Sequence, residues 1–480
     1  MKTKIIFFGN FQLSIMLKIT FIGAGSLVFG RNVLTDILTF PIFRNNTIIC
    51  LEDIDPKRLD LMYDYMQNYK ECYPQDTQGI TFEKTTNQKK AVEDAKYIIN
   101  AVQIGGLDAF KLDIEIPFKY GVSQCIGDTL GPGGVFRFLR SVPFFKSLLM
   151  DIKDVGYNPR KNEMKPLILN YTNPMAMNTW YCNVISPDST IGLCHGVQGT
   201  AALLRSLISS ETSIKLSPRD FSYMCAGINH MAWFLEARYR DPADINGTWI
   251  DGYPVLNEII KNNSESILIE KLRFDMMKAT GYFMTESSGH LSEYLPYYRK
   301  REDLLEEYKG SDKGHRSLKH SEDYFMQVKN QGTMEKDFKR RMNEKRFQFK
   351  EKPSGEYASR IINALETGEP FRFNGNVLNK EGAFITNLPK DCCVEMSIFA
   401  DRHGFHPQGG IKLPTVCQAL CMSNIMVQKA AVEGALELNR EKIFQAVLLD
   451  PNTASVCAPN EIRNMVDELF TKEAKWLPQF

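Results

Sequence analysis

The sequence lacks an excess of charge of either sign. Its 480 residues carry 58 Lys and Arg against 57 Asp and Glu, a formal net charge of +1. No global field therefore draws it to nucleic acid or to an anionic membrane, and a polyanion would have to meet a local patch. Long apolar runs are missing too. The longest uncharged stretch, Pro166 to Pro187, holds four Asn and is broken at Pro174, so no transmembrane helix is expected. Cysteines in paired spacing are also absent. Eleven of them scatter from Cys50 to Cys457, and the adjacent pair Cys392-Cys393 could bridge only with strain. This pattern points to a reducing, cytoplasmic setting in which most thiols act as small buried hydrophobes. No internal repeat is visible.

What is present suits a large folded protein. Apolar residues make up 43%, with 30 Phe and 19 Tyr, enough for packed interiors and incompatible with a disordered chain. The length predicts two or three domains rather than one core. Residues 1–15 hold two lysines and an apolar patch, without the continuous hydrophobic segment and cleavage site of a signal peptide. They read as a poorly structured leader.

From Lys18 the pattern becomes regular. The strand Lys18–Ile22 meets Gly23-Ala-Gly25-Ser26 and then a helical pattern to about Leu38. A second strand, Thr47–Leu51, ends at Glu52-Asp53, and a helix starts at Asp55-Pro56, where proline suits a first turn. Tyr97–Val102 and Pro166–Asn170 read as further strands. This alternation predicts a parallel sheet with helices on both faces. The second half instead mixes antiparallel-looking strands, Met231–Tyr239 and Cys392–Phe399, with helices Thr415–Leu438 and Arg440–Leu449. Residues 299–353 are rich in charge, with eight Lys or Arg and four Asp or Glu between Met334 and Lys352. They read as a solvated helix; the alternative is a basic surface for an acidic partner.

Five places carry chemistry. The turn Gly23-x-Gly25 after a strand lets the backbone approach a pyrophosphate at a helix N-terminus. Val28 stands where a third glycine is usual, and Asp53, ending the second strand, can accept both ribose hydroxyls of NAD. The alternative is a strand–turn–helix with no ligand. Cys194-His195 and Asn229-His230 offer thiolate and imidazole to a divalent transition metal, too few for a structural zinc. On these residues alone, a core thiol at Cys194 and a buried, hydrogen-bonded histidine at His230 are the better explanation. Gly127-Asp128-Thr129-Leu130-Gly131-Pro132-Gly133-Gly134 leads into Arg137 and Arg140 and could hold a hydroxyl or anion, or be a rigid capped loop. Asn173, before Pro174, displays an amide at a strand end, for a ligand or for a turn. The segment Thr285–Tyr294 is dense in titratable groups, among them Glu286, His290 and Glu293.

Taken in order, GAGS, DIDPKRL, GDTLGPGG, NYTNPMAMNTW, GLCHGVQGT, AGINHMAWFLE and TESSGHLSEY resemble glycoside hydrolase family 4, the NAD- and metal-dependent glycosidases. The resemblance runs from about Met16 to Trp476-Leu-Pro and is nearest in flavour to the bacterial α-galactosidases. It implies a Rossmann-type parallel-sheet domain over residues 16–205. An α+β catalytic and oligomerisation domain like that of lactate and malate dehydrogenases would follow over 206–480. The implied reaction oxidises sugar C3 transiently, removes the C2 proton and eliminates the C1 substituent, so a hydrolase needs both NAD and Mn²⁺ or a similar ion. Residue by residue, it implies Gly23, Gly25, Ser26 and Asp53 for NAD, Cys194 and His230 for the metal and Asn173 for substrate. It also implies Asp128 to tune the base, His195 near the leaving group, and His290 or Tyr294 as the base itself.

Specificity is where the chain departs from that pattern. The α-galactosidases read Cys-His-Ser-Val, where this chain has Cys194-His195-Gly196-Val197, a glycine more familiar among members acting on uronic acids. Gln198-Gly199-Thr200, Met231-Ala232-Trp233 and Glu286-Ser-Ser favour the galactosidases. An α-galactoside substrate is the reading. An α-glucuronide or α-galacturonide is the alternative inside the family, and a plain malate/lactate-type dehydrogenase or a non-catalytic NAD-binding protein the alternative outside it. A homodimer or homotetramer is expected.

Overall fold

Strands with both faces buried form only where helices cover a sheet on two sides. Leu17–Ile22 (β1), Thr47–Glu52 (β2), Ile80–Thr85 (β3), Tyr97–Asn100 (β4), Leu167–Asn170 (β5) and Thr190–Leu193 (β6) make such a sheet in the computed structural model. The structure describes residues 16–44, 46–156, 165–262, 267, 270–309, 318–345, 347, 350 and 352–480. The leader expected over residues 1–15 lies outside the described residues.

These six strands are parallel, in the order β3-β2-β1-β4-β5-β6 of a doubly wound dinucleotide-binding sheet. The helix after β2 starts as the sequence predicts. Asp55 accepts the Lys57 and Arg58 amides at the start of Pro56–Cys72, with Pro56 in the first turn. The third expected strand stops at Asn100, two residues early, because its partner β1 turns away at Gly23 and the Val102 amide donates to the Thr172 hydroxyl instead of to the ladder.

The second half is α+β and joins the same sheet. Its strands are Phe221–Ile228 (β7), Met231–Tyr239 (β8), Ile250–Asp251 (β9), Phe283–Met284 (β10), Phe371–Leu378 (β11), Cys393–Asp401 (β12) and Gly404–Pro407 (β13). β11 pairs antiparallel with β6, at Gly375 opposite Leu193, and continues through β12 and β7 to β8 and β10. Residue 205 falls inside the helix Gly196–Thr212, so antiparallel structure begins after that helix, at Phe221. One core fills both sides of the parallel strands and runs under the helices Thr415–Glu437 and Arg440–Leu449. A smaller one, with Leu204, Phe234, Leu256 and Phe283, lies between β7–β8 and their helices. The charge-rich helix Glu322–Asn343 pairs its charges along its own length, Lys339 with Glu335 at 2.6 Å and Arg341 with Asp337 at 2.8 Å. That is the behaviour of a solvated face.

Candidate active site

Ligands of open α/β sheets bind beyond the carboxyl ends of the strands. Here that edge carries Gly23–Ser26 after β1, Ala101–Gly105 after β4, Tyr171–Pro174 after β5 and Cys194-His195 after β6. Gly23 has φ +84°, and a Cβ there would lie 2.4 Å from the Ala101 carbonyl oxygen. The Gly25 amide donates to Asp53 Oδ2 at 2.8 Å, and a Cβ at Gly25 would lie 2.7 Å from that same oxygen. Side chains at 23 or 25 would thus fill the cradle. Asp53 keeps lone pairs for ribose hydroxyls while it ties the loop, so the residues fit a dinucleotide. The missing third glycine has a substitute: Gly30 sits in the helix Phe29–Ile37, where a Cβ would come within 3.3 Å of the Ala24 carbonyl.

Cys194 and His230 come together from different strands. Cys194 follows β6, and His230 lies in the two-residue turn between β7 and β8, at φ +63°. Cys194 Sγ and His230 Nε2 are 3.5 Å apart. His230 Nδ1 lies 3.0 Å from the Tyr294 hydroxyl and 3.1 Å from Thr129 Oγ1, so the other ring nitrogen is aimed at the thiol. Burial, with the Glu286 and Glu395 charges, pushes the Cys194 thiol well above its ordinary range. A divalent cation reverses that preference, and the donor set fits a transition ion.

The loop 127–134 brings Asp128 to the same place. Its Oδ2 accepts from Asn173 Nδ2 at 2.7 Å and its Oδ1 from Thr129 at 2.8 Å. Burial alone would raise this carboxyl, but His290, Arg137 and His230 outweigh it and hold it at about 2. His290 Nε2 is 3.8 Å from Asp128, and its Nδ1 is 3.3 Å from Glu286 Oε2. Glu286 is likewise held at about 2, burial being outweighed by His230 and His290.

Two expected residues flank that centre, one behind it and one at its mouth. Tyr294 is fully buried with its hydroxyl turned to His230, and burial raises it well above the ordinary tyrosine range. His195 has a side chain 73% exposed at the mouth, with Nδ1 3.9 Å from Glu356. Of the two arginines after the loop, Arg137 reaches the site. Its Nε donates to the Asn173 carbonyl at 3.4 Å, and one terminal nitrogen is buried without a partner among the described residues. Arg140 is structural, a buried cation bidentate to Asp113 at 2.7 Å and bonded to Glu473.

Sequence reasoning missed Glu293. Its carboxylate accepts the amides of Cys125, Ile126 and Gly127 at 2.5, 2.7 and 3.0 Å, which fixes the loop bearing Asp128. Only its crowded neighbourhood hinted at a role, since three successive amides give no side-chain signal.

Comparison with known proteins agrees with this architecture. Residues 18–210 match the model for family 4 glycosyl hydrolases, and residues 225–453 match that for the family 4 glycosyl hydrolase C-terminal domain. The chain belongs to family 4 of the glycosyl hydrolases. An alpha-galactosidase of Rhizobium meliloti is 37% identical over 96% of this chain and 89% of its own. One of Bacillus subtilis is 37% identical over 97% of this chain and 100% of its own. A 6-phospho-alpha-glucosidase from gut microorganisms, solved in complex with NAD and Mn²⁺, is 19% identical and superimposes with a TM-score of 0.73. That match covers 97% of this chain and 100% of the other.

Proposed function

We propose that this chain hydrolyses α-galactosides by transient oxidation at sugar C3, removal of the C2 proton and elimination at C1. The observation that carries the proposal is the meeting of Cys194, His230, Asp128 and His290 at the sheet edge that also bears the Gly23–Ser26 turn. NAD, when bound, supplies a hydride acceptor, and a divalent ion such as Mn²⁺ supplies a Lewis acid for the sugar oxygens. The rest is work for the chain's own residues.

Gly23, Gly25, Ser26 and Asp53 hold the dinucleotide, and Cys194 with His230 holds the ion. Asn173, fixed by Asp128, orients the sugar. His290 is the base: its Nε2 faces Asp128, whose ionised carboxylate stabilises the imidazolium formed on taking a proton. Tyr294 orients His230 instead, because its hydroxyl is committed to that ring. His195, open to solvent at the mouth, protonates the departing oxygen.

The ionised carboxylate of Asp128 lines the site beside Asn173. It favours a neutral galactoside over a uronate, as does 37% identity to two alpha-galactosidases. One observation keeps the uronide reading alive: the Arg137 terminal nitrogen is buried without a partner beside Asn173, and could face a sugar carboxylate. The test of the mechanism is hydrolysis with NAD, Mn²⁺ or thiol omitted in turn. Activity should vanish without NAD or the ion, return when each is restored, and leave no net NADH. Net NADH formed in step with substrate loss would make the chain a plain dehydrogenase.

A further inference from the structure

Three atoms at the site form a nearly equilateral triangle. Cys194 Sγ is 3.5 Å from His230 Nε2 and 3.7 Å from Glu286 Oε1, and His230 Nε2 is 3.7 Å from that same oxygen. Ligand bonds of about 2.0–2.3 Å place neighbouring donors of a tetrahedral site ~3.3–3.8 Å apart. The triangle has the dimensions of one face of a coordination shell. We propose that Glu286 is a third protein ligand of the metal ion, and that glycine at position 196 is what makes room for it. This rests on the metal reading above and adds to it a ligand and the residue that admits it.

Three observations support the assignment. His230 and Glu286 both have left-handed backbones, φ +63° and +70°, uncommon for residues with a side chain and typical of functional sites. The two carboxylate oxygens are divided: Oε1 belongs to the triangle, while Oε2 lies 3.3 Å from His290 Nδ1, so an outer partner orients the carboxylate. Charge also balances, since a thiolate and a carboxylate with a neutral imidazole neutralise a divalent ion.

Gly196 explains why the oxygen can be there. A Cβ at this position would lie 1.8 Å from Glu286 Oε1 and 3.5 Å from Cys194 Sγ. The Gly196 φ is one that any residue adopts, so the backbone does not require glycine; the space does. The Gly196 amide also approaches the thiol, at 3.4 Å. A serine here would displace the carboxylate from the triangle. Gly196 therefore sets how many protein ligands the ion has, and so how many positions remain for sugar hydroxyls.

The test is metal binding by the full-length chain, without substrate. Co²⁺ is followed by its thiolate charge-transfer and d–d absorption, and Mn²⁺ by calorimetry. Cys194→Ser should abolish the charge-transfer band, which checks the metal reading by itself. Glu286→Gln and Gly196→Ser should each keep that band, alter the d–d spectrum and weaken binding by about tenfold or more. The double variant should bind no more weakly than the weaker single one, because both remove the same contact. Gly196→Ser leaves the Glu286 side chain itself intact, and thermal unfolding confirms that each variant is folded. Wild-type spectra and affinities in Glu286→Gln would overturn the proposal while the Cys194 and His230 site stands. A wild-type chain with no charge-transfer band would overturn both.

Discussion

Replacing Glu293 by Gln probes how the loop bearing Asp128 is held. The carboxylate accepts three successive amides at 2.5, 2.7 and 3.0 Å, all buried. Glutamine keeps the shape but has one acceptor oxygen, which can serve Cys125 and Ile126; its NH₂ then faces the Gly127 amide. One bond to a charged acceptor, about 1.5–3 kcal/mol, is lost, and two become neutral bonds of about 0.5–1.5 kcal/mol each. Relief from burying the charge offsets part of this. The net loss should be about 2–4 kcal/mol. If it is spent on local opening, amide exchange at residues 125–127 should quicken by roughly 30- to 1000-fold, since about 1.4 kcal/mol is tenfold. Urea unfolding and exchange mass spectrometry measure it. Unchanged exchange in that loop, with an unchanged urea midpoint, would refute the clamp.

Other predictions follow from the same geometry. Arg140→Met leaves the Asp113 carboxylate buried beside Glu473 without its cation and should cost about 3–5 kcal/mol in urea unfolding; a loss below about 1 kcal/mol would contradict the pairing. Burial, with the Asp113 charge beside it, pushes Glu473 well above the carboxylate range. The folded chain therefore keeps a proton that the unfolded chain releases above roughly pH 4.3, and Glu473's contribution to stability falls as pH rises beyond that point. Glu473→Gln should flatten this slope in unfolding measured across pH, and an identical slope would contradict the shift. Asp53→Ala should weaken NAD binding by about tenfold or more, because it loses charged acceptors and loosens the Gly25 loop; fluorescence titration would show it, and wild-type affinity would remove Asp53 from the cradle. Sedimentation should find a homodimer or homotetramer, and a monomer at micromolar concentration would contradict it.

The parallel half of the fold was legible because its signals are local. Apolar strands, the Gly23-x-Gly25 turn and the Asp55-Pro56 helix start each declare themselves within a few residues. Strand β4 was overextended because Ala101 and Val102 look like strand residues, and only the turn of β1 at Gly23 and the bond from the Val102 amide to Thr172 end it. The single sheet through both halves was not legible, since the β6–β11 pairing joins residues nearly two hundred positions apart. At the site, the family resemblance, not the residue types alone, pointed to Cys194 and His230, and the fold brings them together. Glu293 and Glu286 needed coordinates: one acts on backbone amides, and the other depends on an empty volume at Gly196. Arg140, noted beside the glycine loop, turned inward because Asp113 and Glu473 wait there in the core.

The proposed α-galactosidase activity rests on a sheet edge that would bind NAD and a metal ion. Its most direct test compares p-nitrophenyl α-galactoside with the matching α-glucuronide and α-galacturonide, each with NAD, Mn²⁺ and thiol supplied. The galactoside should be cleaved and neither uronide. Cleavage of a uronide in preference to the galactoside would contradict it, and would make Gly196 and Arg137 the residues that had announced the substrate.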